Sequence, residues 1–252
     1  MPPSSTDTDD TEAGAPVLRI PALAAEPGLI HGFSTLAMGS MRLPAPGADP
    51  RTPARRAFAA ALGLDGALLT VAGAVHGAEV ARVDAPAGAL KGRDALVTDR
   101  PCLPLLATFA DCYPLLLFDP DRRALALVHA GWRGTAAGIA ARAVEALASE
   151  YGSRPARLVA GVGPGVCGAC YEVGEEVAAR FDAAFLRPSP GGADRRLLDL
   201  AAANRAQLER AGVPADRVHL HGECTRESGR LPSHRRAPDG NRFACIAALA
   251  PA

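Results

Sequence analysis

Beyond a polar start, apolar and polar positions fall into short blocks that predict strands interspersed with helices. Gly28 to Thr35 reads as a strand, and Arg51 to Leu64 as an Ala-rich amphipathic helix ending at Gly63. Strands at Leu68 to Ala74 and Ala95 to Thr98 follow. Two apolar runs, Thr108 to Phe118 and Ala124 to Thr135, flank the break Asp119-Pro-Asp-Arg-Arg123 and predict a hairpin. If Phe118 faces Ala124, Cys112 stands across from Ala130 and one diagonal step from His129, within about 7–8 Å at the backbone. Gly131 to Gly134 is a tight bend, and Thr135 to Tyr151 is a helix with Ile139, Ala143, Val144 and Leu147 on one face and Thr135 as its N-cap. Arg157 to Gly161 is a strand opening into the glycine-rich Gly163 to Cys170. Helices at about Val173 to Phe185 and at Leu197 to Ala211 come next, with Gly212 just past the second. A strand at Val218 to His221, a polar loop from Cys224 to Arg242 and an apolar strand from Phe243 to Leu249 close the chain. The irregular alternation and the hairpin argue against an all-parallel sheet.

Composition narrows the setting. With 252 residues and 48% hydrophobic positions the chain can bury a substantial core, so one domain over residues 17–252 is expected. Met1 to Pro16 is Ser, Thr, Asp, Glu and Pro without a basic start or apolar centre, which reads as a disordered tail and not a secretory signal. Leu103 to Phe118 is interrupted by Pro104, Asp111 and Pro114, and no run approaches the roughly 18 residues of a membrane span. A soluble, cytoplasmic protein is expected. Lys plus Arg and Asp plus Glu balance at 27 each, which gives no general affinity for nucleic acid or anionic membrane and points to a small-molecule partner. The six cysteines read as reduced core residues or ligands, with Cys102 and Cys245 packing in apolar settings.

The candidate chemistry lies at His76, Cys112 and His129. Each of these histidines ends an apolar strand just before a glycine, Gly77 directly after His76 and Gly131 two residues after His129, where a ligand can approach the backbone. Two imidazoles and one thiolate are good zinc ligands, and three protein ligands leave a fourth tetrahedral position open, as catalytic sites do. The trio matches no compact zinc motif, so a metal-free hydrolase or amidase, in which His129 or His76 deprotonates Cys112, stays open on the same residues. A non-catalytic accessory role also stays open. Arg133, at the strand-to-helix bend beyond His129, either converges with backbone amides on a phosphate or carboxylate or pairs with a surface carboxylate. Strand alternation turns Asp111 away from Cys112, which makes it a structural hydrogen-bond acceptor. Gly163-Pro-Gly-Val-Cys-Gly168 matches a dinucleotide fingerprint, but no helix opens inside it, and a structural turn is expected. Cys167-Gly-Ala-Cys170 has no second CxxC to complete a zinc knuckle and reads as incidental. Ser233-His-Arg-Arg236 reads as a solvated loop with an anion site as the alternative.

At Val75-His-Gly77, Ala110-Asp-Cys112 and His129-Ala-Gly-Trp-Arg-Gly134 the chain resembles the laccase-domain, or "polyphenol oxidase", family of bacterial purine nucleoside phosphorylases. Asp94-Ala-Leu-Val97, Gly163-Pro-Gly165, Tyr171-Glu-Val-Gly174, Cys224-Thr225 and Ser233-His-Arg-Arg236 extend the likeness over roughly Gly28 to Ala247. The resemblance implies a single-domain α+β fold, a four-layer α/β/β/α sandwich with mixed sheets similar to a toxin deamidase fold. It implies zinc on His76, Cys112 and His129, and phosphorolysis of adenosine, inosine and methylthioadenosine with adenosine deamination as a second reaction. Arg133 is expected to hold phosphate. Two departures from the family pattern bear on substrate preference: Leu36 and Met38 replace an Arg and a Gly, and Leu231-Pro232 and His234 flank Ser233 where aromatics are usual. A multicopper laccase needs several H-x-H pairs, whereas six histidines here form only His219-Leu-His221, and the methionines at 1, 38 and 41 lie far upstream of an axial position. Copper therefore ranks below zinc, although it competes for the same ligands.

Overall fold

A computed structural model describes residues 16–45 and 47–251. Most of the predicted tail lies outside them. Pro16 is described, and its carbonyl accepts from the Thr35 amide at 3.1 Å and hydroxyl at 3.2 Å.

In chain order the strands are β1 (Val17–Leu18), β2 (Leu29–Ser34), β3 (Thr70–Gly73), β4 (Val80–Arg82), β5 (Gly88–Lys91), β6 (Ala95–Thr98), β7 (Leu105–Phe109) and β8 (Tyr113–Asp119). They continue with β9 (Ala124–Ala130), β10 (Val159–Val162), β11 (Glu172–Gly174), β12 (Leu186–Ser189), β13 (Gly192–Leu198), β14 (Val218–Leu220) and β15 (Phe243–Leu249). The α-helices are α1 (Pro21–Ala24), α2 (Pro53–Ala61), α3 (Trp132–Ala136), α4 (Ile139–Tyr151), α5 (Glu175–Ala178) and α6 (Leu200–Arg210). One large sheet runs β1-β2-β15-β7-β3-β5, a second β14-β10-β8-β9-β6-β4, and β11-β13-β12 form a small third. Both large sheets are mixed: β3 pairs parallel with β5 and β7, and β10 with β14, among otherwise mostly antiparallel neighbours.

Alternation along β8 explains the layering. Leu116 and Phe118 meet Leu125, Leu127, Phe33, Phe109 and Phe243 between the two large sheets. Leu115 and Leu117 face the other way, onto Ile139, Ala143, Val144 and Leu147 of α4 and Leu200 and Leu208 of α6. Beyond the first sheet, Phe58 and Ala59 of α2 cover Leu106, Ala244 and Ile246. The order is helix, sheet, sheet, helix, the four layers that the resemblance implies. Strands β8 and β9 are buried on both faces, so they read as unbroken apolar runs instead of alternating ones.

Several elements differ from the sequence reading. Thr108 to Phe118 is not one strand: β7 belongs to the first sheet and β8 to the second, and the chain turns between them at Asp111, whose φ is +84°. The β8–β9 ladder pairs Asp119 with Ala124 and Phe118 with Leu125, one residue off the expected register. Thr135 does not cap the long helix. It lies in α3, and Gly138, with φ +80°, separates α3 from α4. The predicted Val173 to Phe185 helix is β11 followed by the short α5, because Glu172–Gly174 is captured by the β12–β13 hairpin. Leu197 and Leu198 belong to β13, and α6 starts after Asp199, whose side chain accepts from the Ala202 amide at 2.9 Å. Among the described residues no helix is long and apolar enough to cross a membrane.

Candidate functional site

His129 sits near the end of β9, and Cys112 immediately precedes β8. The observed register pairs Tyr113 with Ala130, so continuing the ladder places Cys112 opposite Gly131, two residues from His129. A one-residue shift exchanges the faces of a strand. The expected register would have put Cys112 and His129 on opposite faces; the observed one puts them on the same face. His76 arrives from the loop after β3 in a left-handed conformation, φ +63°. A nitrogen of each imidazole and the Cys112 sulfur all lie within 4.8 Å of one another.

Asp94 organises this trio and was not singled out as a site residue from the sequence. Fully buried just before β6, its carboxylate accepts from the amides of Val75 at 3.1 Å, His76 at 2.8 Å and Gly77 at 2.9 Å. It also contacts His129 Nδ1 at 3.1 Å. Burial opposes its charge, but the hydrogen bonds from His129, Val75 and Gly77 outweigh burial and hold the carboxyl below its ordinary range. With Nδ1–H donated to Asp94, the Nε2 lone pair of His129 is left for another partner. Burial likewise opposes charge on Cys112 and His129. The imidazoles of His129 and His76 nevertheless lower the Cys112 thiol, while the Cys112 thiolate and Asp94 raise His129. The site favours thiolate beside imidazolium, and a Lewis-acidic cation would take the proton's place.

Glycine geometry makes room for such an ion. A Cβ on Gly131 would lie 2.9 Å from Cys112 Sγ and 3.0 Å from His76 Cδ2, so a side chain there would fill the space between the ligands. A tetrahedral zinc with Zn–N about 2.0–2.1 Å and Zn–S about 2.3 Å separates its donors by roughly 3.3–3.8 Å. The three donor atoms lie within 4.8 Å of one another, so closing on one ion would take shifts of no more than about 1.5 Å between donors. His129 is buried, Cys112 half-buried and His76 exposed, which leaves one side open toward solvent.

That side opens into a cleft of about 570 Å³. Its rim includes Arg133, Arg235, Arg242 and His234, with Trp132 and Tyr171 as aromatic walls. The guanidinium carbon of Arg133 lies 4.2 Å from the Trp132 ring centroid, and no ion pair among the described residues engages it. Arg133 therefore faces the trio's cleft and not a surface carboxylate. Arg235 stacks 4.9 Å from Tyr171. Helix α3 packs backbone to backbone on the His76 loop, since a Cβ on Gly134 would lie 2.6 Å from the Gly77 carbonyl oxygen.

The remaining candidates separate cleanly. Asp111 accepts from Thr225 Oγ1 at 2.7 Å and from the Arg235 amide at 2.8 Å, the structural acceptor expected, although it sits at a corner and not in a strand. Arg236 donates to the carbonyls of Thr225 and Leu231 and holds its loop together, so only Arg235 and His234 of that motif reach the cleft. Leu231 is fully buried in the inter-sheet core, and Leu36 is 38% exposed on a short 3₁₀ turn. The glycine-rich run after β10 packs against Phe33 and Tyr113, and no helix starts within it. The CxxC is not isolated: Cys224 and Glu227 join Cys167 and Cys170. Sequence spacing held no signal for that, because the partners arrive from beyond β14.

Residues 48–249 match the family described as multi-copper polyphenol oxidoreductase laccase. A purine nucleoside phosphorylase of Deinococcus radiodurans is 42% identical over 249 residues, covering 95% of each chain. One of Streptomyces coelicolor is 44% identical over 205 residues, 79% of this chain and 83% of that one. An adenosine deaminase of an unknown prokaryotic organism is 39% identical over 57% of this chain and 56% of its own. The crystal structure of the hypothetical protein YfiH from Bacillus licheniformis superposes with a TM-score of 0.83 at 29% identity, covering 94% of this chain and 97% of that one.

Proposed function

The chain belongs to the multi-copper polyphenol oxidoreductase laccase family, and from that premise we propose that it is a zinc-dependent purine nucleoside phosphorylase with adenosine deamination as a second reaction. The observation that carries this reading is the His76, Cys112, His129 trio at the floor of a cleft rimmed by three guanidinium groups. His76, Cys112 and His129 would hold the ion, and zinc there would supply a Lewis acid able to lower the pKa of a bound water toward about 7.

The chain's own groups account for the rest. Arg133 offers a planar, permanently charged donor fork to phosphate, and its stack on Trp132 restrains that fork in the cleft wall. Arg235 and Arg242 add positive charge at the rim and concentrate an anion near the trio. The purine ring is expected to lie against Tyr171 or Trp132, whose faces suit a flat heteroaromatic base. In phosphorolysis a phosphate oxygen bonds to C1′ as the glycosidic bond breaks, and the departing base takes up a proton. Asp94 holds His129 in one tautomer and one direction throughout.

The family's description favours copper as a second reading. Two imidazoles and one thiolate would hold copper too, but Met41 is buried beneath α2 and supplies no axial ligand to the trio. One experiment separates the readings. Protein purified without added copper is analysed for metals and assayed for phosphate-dependent base release from inosine, adenosine and methylthioadenosine. Zinc on the trio and base release are expected, and Cys112→Ser is expected to lose that one ion together with base release. Full activity after chelation would return the site to a metal-free Cys–His hydrolase, and dominant copper with phenol oxidation would favour the laccase reading.

A further inference from the structure

Outside the cleft, a second set of thiophilic ligands converges. Cys167 and Cys170 flank a tight turn closed by the Cys170 amide donating to the Cys167 carbonyl at 2.9 Å. Cys224 and Glu227 approach from the loop after β14. The three sulfurs and a Glu227 carboxylate oxygen all lie within 4.8 Å of one another, and all three cysteines carry free thiols. The backbone docks the two loops: Gly165 and Cys224 form a parallel bridge, in which the Thr225 amide donates to the Gly165 carbonyl at 3.0 Å.

Burial first, and then the neighbouring thiols and Glu227, raise the Cys167 and Cys170 thiols, and two contacts work the other way. The Cys167 amide donates to Cys224 Sγ at 3.3 Å, and the Arg226 side chain hydrogen-bonds Cys170. A Cys-x-x-Cys turn joined by a distant Cys and one carboxylate is the ligand order of a closed tetrahedral zinc site, with an N–H···S bond in its outer shell. Four protein ligands leave no open position, which makes the site structural. Soft sulfur donors select zinc over magnesium or calcium. Three thiolates and a carboxylate around a dication leave a net charge of about −2, which Arg226 partly offsets.

We infer that Cys167, Cys170, Cys224 and Glu227 form a second, structural zinc site that staples the Gly163–Cys170 loop to the Cys224–Arg236 loop. The stapled loop carries Thr225 and Arg235, both of which hold Asp111 at the β7–β8 corner beside Cys112. The staple therefore braces one wall of the catalytic cleft from outside it. Each bound zinc displaces the protons still held by the thiols and releases them to solvent. The inference does not rest on the proposed reaction, because the two sites share no ligand.

The test is metal analysis of the full chain, reduced and reconstituted with zinc alone. Two zinc ions per chain are expected in the unaltered protein, one in Cys112→Ser and one in Cys167→Ser. Cobalt-loaded Cys112→Ser should show an intense sulfur-to-cobalt charge-transfer band and tetrahedral ligand-field bands. If Cys167→Ser does not fold, Cys112→Ser decides alone: one retained ion supports the site, and none overturns it. A Cys167–Cys170 or Cys167–Cys224 disulfide that re-forms in place of zinc uptake, seen by mass spectrometry, also overturns it.

Discussion

Asp94 binds the His76 loop and the His129 ring with one carboxylate. Replacing it with Asn removes the charge and sets an amide N–H₂ against donors that need an acceptor. Asp94→Asn is expected to weaken zinc binding about 10–100-fold, read by chelator competition, and an unchanged affinity would remove Asp94 from the metal's outer shell. His31 is a different kind of histidine. It is 2% exposed, its Nε2 accepts from the Ile20 amide at 3.0 Å, and burial, with Arg19 and His221, lowers its pKa to about 4. Its folded pKa lies below the unfolded value, so the unfolded chain binds more protons. Its stabilisation is complete above about pH 6.5 and is lost as pH falls toward 4, a change on the order of 3 kcal/mol. Urea titrations at pH 7 and 4.5 should show a steeper loss for the unaltered chain than for His31→Gln, in which a neutral acceptor replaces the ring. The His76, Cys112 and His129 trio is legible in sequence because Gly77 follows His76, Gly131 lies two residues past His129 and Cys112 sits near a hairpin end. Asp94 is not legible as their partner, because the donors it gathers come from segments far apart in the chain.

At the scale of elements, the sequence reading succeeds where a pattern is local and fails where a partner decides. Strand β15 and strand β6 match their predicted bounds, since each is an apolar run that starts directly after a charged residue, Arg242 or Asp94. Glu172–Gly174 is a strand because the β12–β13 hairpin pairs with it, which no periodicity near Val173 reveals. The β7–β8 boundary is hidden because both strands are apolar and only the positive φ of Asp111 parts them. Gly138 marks the break that the predicted Thr135 cap overlooks. A Cβ there would meet nothing within 4 Å, so its strain is purely that of the backbone at φ +80°. Gly138→Ala is expected to lower stability by about 1–2 kcal/mol in a denaturant titration while leaving metal content unchanged. A neutral effect would mean that α3 and α4 can merge into one helix.

Across the whole molecule, the layers follow from which strands neighbour each other, and that information is absent from runs buried on both faces. Leu115 and Leu116 look alike in sequence, yet one packs on α4 and the other against the opposite sheet. The resemblance, and not the hydropathy pattern, carries the four-layer expectation. The site lies where the chain passes from one sheet to the other, so its parts are held by several layers at once. The backbone contact between Gly77 and Gly134 has a thermodynamic consequence. His76 stands on one side of that contact and Arg133 on the other. Coupling through this contact is expected to link metal and anion affinity, reciprocally and by the same factor in each direction. Calorimetry of phosphate binding with and without zinc should give unequal affinities, and equal ones would uncouple the two sides. On the proposed function such linkage would make ion retention depend on substrate supply: with phosphate abundant the protein would keep its metal against competing chelators, and without it would surrender the ion.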